Sequence, residues 1–582
     1  MLDSSAPTIN SEEQEASPWL VNGKVTYSRS VNATCASEFY RNGLVTVTSP
    51  LNYLYWENQL GDHPDLALSS KILHYMRHGA PTGYSGPQRH RERPNWPSAE
   101  ELSSEVRTNI LADAKQQRII GPFRDKPFDN LVCSPLGAFK KKRSQKIRTI
   151  HDLSYPPGLS VNEYIADEHC TTLYSSVYDA VDICNQIRNT EKCDIVYGCK
   201  IDISDAFKHI VIDPADWHLM GSILNNVNKD KEYWFSTVLE FGLRSAPKTF
   251  NLFGEGLQYI MQQNGVKNVI RYMDDYACFA SNETLCNAYL ENMISVCELA
   301  GFKLQPAKVV RATPVLEFLG IVIDNVKQEL RISVERMSEI KALLADWEVR
   351  KKCTKRELLS LLGKLMFCSK VIRCGKTFTY RLIQLSKKCR YLHYKINLNS
   401  EARSDIQWWK DCISSHNGVG TFPKDWISDR VLHLYTDASD VAIAGVCQSR
   451  WFYRYYTGSY LKVKDTPIAY RELLALVISI LTFADKLHGR RLILHVDNQV
   501  VVQAINNGYV RNDEMMILIR KLYYVFSVLS IECRAVYIST KDNDAADALS
   551  RGRVDNFKQN NPDSDEHMTW PETLILGKCT FV

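Results

Sequence analysis

Apolar runs in this chain are interrupted by acids at a few positions, and those interruptions predict the elements. Val269-Ile270 and Tyr276-Ala277-Cys278-Phe279-Ala280 flank Tyr272-Met273-Asp274-Asp275, a pattern that predicts a strand, a tight turn bearing two acids, and a second strand. Upstream, Lys200-Ile201-Asp202-Ile203-Ser204-Asp205-Ala206-Phe207 followed by His209-Ile210-Val211-Ile212 predicts a strand with an acid among apolar neighbours, running into a short helical turn. Leu432-His433-Leu434-Tyr435-Thr436-Asp437 and Leu492-Ile493-Leu494-His495-Val496-Asp497 predict two further strands, each ending in an acid. Glu472 opens an apolar-periodic helix that includes the longest apolar stretch, Leu473 to Phe483, and Asp547 lies on a late helix in Asn543-Asp544-Ala545-Ala546-Asp547-Ala548-Leu549-Ser550-Arg551. Ser98 with Glu101 predicts a capping box and a helix to about Gln117; Ser333 opens another helix and Thr354 with Glu357 caps a third.

These elements divide the chain. Residues 1–97 are expected to be a partly disordered N-terminal extension, Ser-rich at its start and Pro/Gly/Arg-rich from Gly79 to Pro97, with a structured patch near Leu51 to Leu68. Strands and helices alternate in an α+β manner over 98–325; 326–398 is mainly helical, 399–428 is a Trp- and Ser-rich bridge, 429–552 is a second α/β unit, and 553–582 is expected to be a disordered tail.

Composition changes this picture little. Of 582 residues 45% are apolar and 24% charged, which suits several globular cores. The net charge of +5 is mildly basic and weakly favours a polyanionic partner. Arg89-His90-Arg91 with Arg93, Lys140 to Arg143, and Arg350-Lys351-Lys352 concentrate that charge, although each cluster alone is most simply a solvated face. The seventeen cysteines show no CxxC spacing and no signal peptide is evident, so a reduced intracellular setting, cytoplasm or nucleus, is expected. The Leu473–Phe483 stretch is too short to span a bilayer, and no membrane partner is expected.

Adjacent carboxylates at a hairpin tip repel each other and are costly to bury. A pair of divalent ions roughly 3.5–4 Å apart removes that cost and can clamp the attacking and leaving oxygens of a phosphoryl transfer. Singly, each acid has a plainer reading as a turn residue, a cap or a solvated position.

Taken together, the segments resemble reverse transcriptases. The Asp202-to-Ile212 segment resembles their motif A, Phe241-Gly242-Leu243-Arg244-Ser245-Ala246-Pro247 motif B, and Tyr272 to Asp275 motif C. Gly301 to Lys308 resembles motif D, and Glu317-Phe318-Leu319-Gly320 motif E. Ser134-Pro135 and Lys140-Lys141-Lys142 through Arg148 to Asp152 resemble the fingers segment. The implied fold is an α+β right-hand polymerase with fingers, palm and thumb. The resemblance implies that Asp202, Asp274 and Asp275, with the Ile203 carbonyl, hold two Mg2+ ions, Mn2+ being a possible substitute. It also implies that Lys141 and Arg148 grip the triphosphate and that Lys308 protonates pyrophosphate, an exposed solvated lysine being the plainer reading. Phe207 excludes a 2'-hydroxyl on this reading, with ordinary core as its alternative. Gly242 admits the incoming base, and Tyr272 and Met273 line the site. Phe241 stands where retroviral relatives carry Gln, so that residue's polar contact does not carry over.

The order Asp437, Glu472, Asp497, Asp547 resembles RNase H, an α/β domain with a mixed sheet, and implies a second Mg2+ pair that cuts the RNA strand of a hybrid. Retroviral relatives carry His before the last acid; here the position falls near Tyr537. Flanking segments such as Asp152-Leu153-Ser154-Tyr155-Pro156-Pro157-Gly158 most resemble tyrosine-recombinase (DIRS-type) retrotransposons, with gypsy-type and pararetroviral enzymes as neighbours. The expected partners are an RNA template, a DNA primer, an RNA–DNA hybrid and dNTPs. The alternative is a co-opted, catalytically weak nucleic-acid-binding protein. Priming and oligomeric state are not legible in the sequence.

Overall fold

The computed structural model describes residues 20–140, 146–226, 228–415, 418–422, 431–529, 531–564 and 566–568. The chain forms two compact units, Met1–Leu319 and Gly320–Val582.

The centre of the first unit is an antiparallel sheet in the order Val269–Tyr272, Asp275–Ala280, Tyr197–Asp202, Val310–Thr313. Helices Ala246–Gln263 and Glu283–Ala300 pack on it. Their Phe250, Phe253 and Met293 join Cys199, Ile201, Tyr276 and Cys278 of the strands in one buried core. Because side chains alternate across a strand, the register that buries these residues also fixes where the acids at the strand ends emerge. A three-stranded sheet (Ile119–Phe123, Lys231–Ser236, Gly221–Asn225) and the hairpin Leu136–Lys140/Ile147–His151 complete this part of the first unit.

The N-terminal extension departs from expectation. Residues 20–48 form a four-stranded sheet, and helices Tyr53–Leu60 and Leu66–His78 follow it. Both helices pack into the central core, and Trp56 Nε1 donates to the Ala300 carbonyl at 3.1 Å. Expected disorder within residues 1–19 lies outside the described residues. The predicted capping box is also corrected. Ser98 lies inside a short helix, Pro97–Glu101, whose cap residue Trp96 makes no side-chain cap bond, and Ser98 Oγ instead accepts from Ala138 N at 3.2 Å. The chain breaks at Leu102, and a separate helix runs over Ser103–Ala114, ending short of Gln117.

In the second unit, Ser333 caps the helix Val334–Val349, and Thr354 with Glu357 makes the expected capping box on Lys355–Cys368. Helix Ser400–Ser415 occupies the bridge segment. Beyond it, strands Val431–Ala438, Ala442–Cys447 and Arg450–Tyr455 pair antiparallel, while Arg491–Val496 and Glu532–Tyr537 add in parallel on the other side of the first. Helix Ile468–Thr482 packs across this mixed sheet and is buried along most of its length, which explains its long apolar run, broken only by Ser479 and Thr482. The expected disordered tail is corrected over its described part. Val554–Asn560 is a helix that buries Phe557, and Glu566–His567 pairs in parallel with Arg450–Trp451. No described helix is long and apolar enough to cross a membrane.

Candidate active sites

The segment 272–275 forms the predicted hairpin, with Tyr272 pairing with Asp275 and Met273 at φ +56°, in the left-handed region. Asp275 then lies directly opposite Asp202 on the neighbouring strand, and Ile203 N donates to the Asp274 carbonyl at 2.9 Å. Asp202 and the adjacent pair Asp274-Asp275, distant from it in sequence, are thus gathered at one sheet end. The motif D segment is tied to the same place: Gln305 N donates to the Asp202 carbonyl at 2.8 Å, and Ser204 N to that of Lys303 at 2.8 Å.

Electrostatics at this end favour a bound cation. Burial pushes the Asp275 carboxyl up to about 6, with Lys200 opposing and Asp202 and Asp274 adding to the rise. Burial also raises Asp274; Asp202 adds to this, while Lys308 and Arg148 oppose it. Asp275 Oδ1 is buried without a hydrogen-bond partner, and Lys200 Nζ stands 3.9 Å from it. Lys308 Nζ donates to Asp202 Oδ2 at 2.7 Å. Burial lowers the Lys308 pKa, but the bond to Asp202 and the three acids' charges outweigh it, leaving the ammonium raised. The side chain is 58% exposed, so it is both surface-accessible and engaged with the site.

The remaining residues of this site occupy distinct settings. Phe207 is only 6% exposed, packed between Phe241 (ring centroids 4.9 Å) and Phe250 (5.5 Å), as a core residue would be. Phe241 is the exposed ring of the group, at 54%, and the Arg148 guanidinium lies 5.3 Å from its centroid. Gly242 makes its close approach to its own chain: a Cβ there would stand 2.0 Å from the His151 carbonyl oxygen. Tyr272 is exposed and packs against Tyr174 at 5.1 Å. Lys141 lies outside the described residues. Sequence reasoning missed Asn162, whose amide donates to the Gly242 carbonyl at 2.8 Å and accepts from Arg244 N at 2.9 Å, bracing the motif B turn.

In the second unit Asp437, Glu472 and Asp497 each offer an oxygen within 4.8 Å of the others. Burial, with the charges of Asp437 and Asp497, pushes Glu472 up to about 9. Burial raises Asp437 to about 6 against the hydrogen bond from Ser550, with Asp497 and Asp547 adding to the rise. Glu472 Oε1 accepts from Ala438 N at 2.9 Å, while its Oε2 is buried and unpartnered. Asp547 is not one of this close trio, although its charge reaches Asp437. Its Oδ1 accepts from Arg551 Nε at 2.6 Å and its Oδ2 from Arg553. Sequence reasoning also missed Ser550, Thr540 (Oγ1 to Asp497 Oδ2, 3.1 Å) and Arg553; of these, Ser550 alone lies within the Asn543–Arg551 motif. Tyr537 is exposed at the end of its strand. Hard oxygen donors, mutual repulsion and one orphaned buried oxygen in each set fit divalent cations.

Residues 140–323 match the family described as reverse transcriptase (RNA-dependent DNA polymerase). Over 337 residues, 54% of the chain, the sequence is 23% identical to polyprotein P3 of Commelina yellow mottle virus, of which it spans only 16%. Among solved structures the chain is similar to foamy viral protease-reverse transcriptases. One, the dRH form in complex with double-stranded DNA, matches at TM-score 0.47 and 14% identity over 84% of this chain and 81% of that one. Another, in complex with an RNA/DNA hybrid, matches at TM-score 0.45 and 14% identity over 84% of this chain and 62% of that one. The reverse transcriptase match thus falls on the first unit's central sheet and its acids, and the second unit is an α/β domain built on a mixed sheet.

Proposed function

We propose that the protein is an RNA-directed DNA polymerase with an attached RNase H activity, copying a retroelement RNA into DNA and degrading the RNA strand of the resulting hybrid. The observation that carries this reading is the juxtaposition of Asp202 with the Tyr272–Asp275 hairpin inside a segment that matches the reverse transcriptase family. Two Mg2+ ions, with Mn2+ as substitute, would supply charge neutralisation for phosphoryl transfer at each acid set. Asp202, Asp274, Asp275 and the Ile203 carbonyl would hold them in the first unit, and Asp437, Glu472, Asp497 and Asp547 in the second.

The chain's own residues do the rest. Arg148, steadied against Phe241, and Lys141 neutralise the triphosphate of the incoming dNTP. Lys308, already protonated and within reach of Asp202, delivers a proton to departing pyrophosphate. Phe207, held against Phe241 and Phe250, would exclude a 2'-hydroxyl on the incoming nucleotide, Gly242 would admit the incoming base, and Tyr272 and Met273 would line the site. In the second unit Ser550 orients Asp437, while Thr540 holds Asp497. Asp547 completes the set once Arg551 and Arg553 yield it. Among retroelements, the flanking segments favour a DIRS-type source.

Primer extension on poly(rA)/oligo(dT) tests the polymerase reading. Wild type should extend only with Mg2+ or Mn2+, and Asp274→Asn should not extend. No extension by wild type beside a working control enzyme would overturn it.

A further inference from the structure

The second unit carries a basic and aromatic surface that uses neither acid set. Its frame is a short antiparallel ladder, Lys352–Thr354 against Lys395–Asn397, in which Cys353 and Ile396 face inward while Lys352 and Lys395 face solvent. Leu398 N donates to the Lys351 carbonyl at 2.9 Å. The turn before the second strand is pinned through its backbone: Lys355 N donates to the Tyr394 carbonyl at 3.1 Å, and Arg356 N to that of Leu392 at 2.9 Å. Lys355 Nζ donates to the Cys389 carbonyl at 2.6 Å. With its backbone so engaged, this turn directs its side chains outward. Lys387, Lys388 and every residue from Arg390 to Lys395 are exposed.

Two independent properties coincide there. No acid occurs from Lys351 to Arg356 or from Lys387 to Leu398. None of Lys351, Lys352, Lys387, Lys388, Arg390 and Lys395 makes an ion pair among the described residues. The same turn displays aromatic rings that a merely solvated face has no reason to expose. Tyr391 is 46% and Tyr394 51% exposed, with ring centroids 5.0 Å apart. His393 lies 6.0 Å from Tyr391 at 30° and 4.8 Å from Tyr394, and the Arg390 guanidinium sits 5.5 Å from the Tyr391 centroid.

We propose that this turn is a docking surface for an unpaired nucleic-acid strand, with Tyr391 and Tyr394 stacking on bases and the flanking lysines following the phosphates. Stacking rings framed by unpaired cations match a flexible polyanion with accessible base faces, whereas a duplex hides those faces within its own stack. An acidic protein would use the cations but not the rings.

The test is fluorescence anisotropy of the full chain with a labelled single-stranded oligonucleotide, in parallel with a blunt duplex of equal length. Tyr391→Ala/Tyr394→Ala should weaken single-strand binding at least about fivefold and change duplex binding less than twofold. Tyr391→Phe/Tyr394→Phe, which keeps the rings and the fold, should bind as wild type. Lys387→Gln/Lys388→Gln should lower the salt dependence of single-strand binding by about 0.7 for each phosphate no longer neutralised. Photo-crosslinking of a 4-thiothymidine oligonucleotide should map to residues 388–395 while an unlabelled hairpin primer–template occupies the polymerase cleft. Extension of a short primer–template should be unaffected by these substitutions, which separates failure here from failure of the polymerase reading. Equal losses on duplex and single strand, no loss with the alanine pair, or crosslinks confined to other segments would overturn the proposal.

Discussion

Asp275 sits directly across the strand pair from Asp202, with Ile203 N bonded to the Asp274 carbonyl beside them. This register brings like charges together in a partly buried place, so the metal-free protein stores repulsion that a cation relieves. Asp275→Asn should therefore raise the melting temperature measured in EDTA and shrink the further rise on adding Mg2+. Extension should fall about a hundredfold or more, the scale seen when one charge partner is removed from a transition state. A variant destabilised in EDTA would contradict the repulsion argument.

His209 couples the motif A turn to motif D. Its Nε2 accepts from Lys303 N at 3.1 Å, and Nδ1, 3.3 Å from the Ala206 carbonyl, donates to it, so the neutral ring is fully used. Burial, reinforced by Arg118, lowers its pKa to about 4. The unfolded chain takes up this proton near pH 6.5 and the folded one only near 4, so stability is present above about 6.5 and is lost as pH falls toward 4. The loss should reach about 3 kcal/mol at most. Denaturant melts of wild type and His209→Gln across this window check it. The variant should show a shallower slope, and an identical slope would remove His209 as the cause.

Local signals explain why the acids were legible and other features were not. Asp202, Asp274, Asp437 and Asp497 each end or interrupt a short apolar run, so the sequence pattern alone locates them at strand ends. The N-terminal sheet gave a weaker signal that was still present: Asn22-Gly23 and Asn42-Gly43 both have positive φ and turn two-residue hairpins, a pairing that favours such turns. Ser98 shows the opposite error, since a capping spelling was overridden by a strand that took the hydroxyl. Arg553 on Asp547 and Asn162 on the motif B turn depend on tertiary proximity. Nothing in their local sequence announces either contact.

Ser550 donates its hydroxyl to Asp437 Oδ2, one of few favourable contacts on that buried carboxylate. Ser550→Ala should slow hybrid cleavage roughly tenfold to a hundredfold, corresponding to about 1.5–3 kcal/mol for a hydrogen bond to a charged group, and leave primer extension intact. Asp437→Asn should abolish cleavage and also spare extension. Loss of both activities in either variant would mean that the two catalytic units are not independent.

The helix Ser400–Ser415 is joined to the helix Asp513–Val528 of the mixed-sheet domain by a buried ion pair. Asp405 is fully buried and accepts from both terminal nitrogens of Arg520, on helix Asp513–Val528; Arg381 lies 3.8 Å away. The Phe378 ring covers the Arg520 guanidinium at 4.7 Å and stacks on Trp408 at 3.8 Å, while Thr377 Oγ1 donates to the Gly508 carbonyl at 3.0 Å. Removing one partner of such a pair leaves a buried charge uncompensated, which costs about 3–5 kcal/mol, whereas replacing both with apolar groups of similar volume can be neutral. Asp405→Ala should therefore lower stability by about that amount in denaturant melts. The double change Asp405→Leu/Arg520→Met should recover most of it. The same contacts predict that a fragment of residues 429–552, cut at the boundary the sequence suggested, will not fold cooperatively, while one beginning before Thr377 will. A cooperative melt from the shorter fragment, or an Asp405→Ala chain as stable as wild type, would show that the second unit does not depend on this junction.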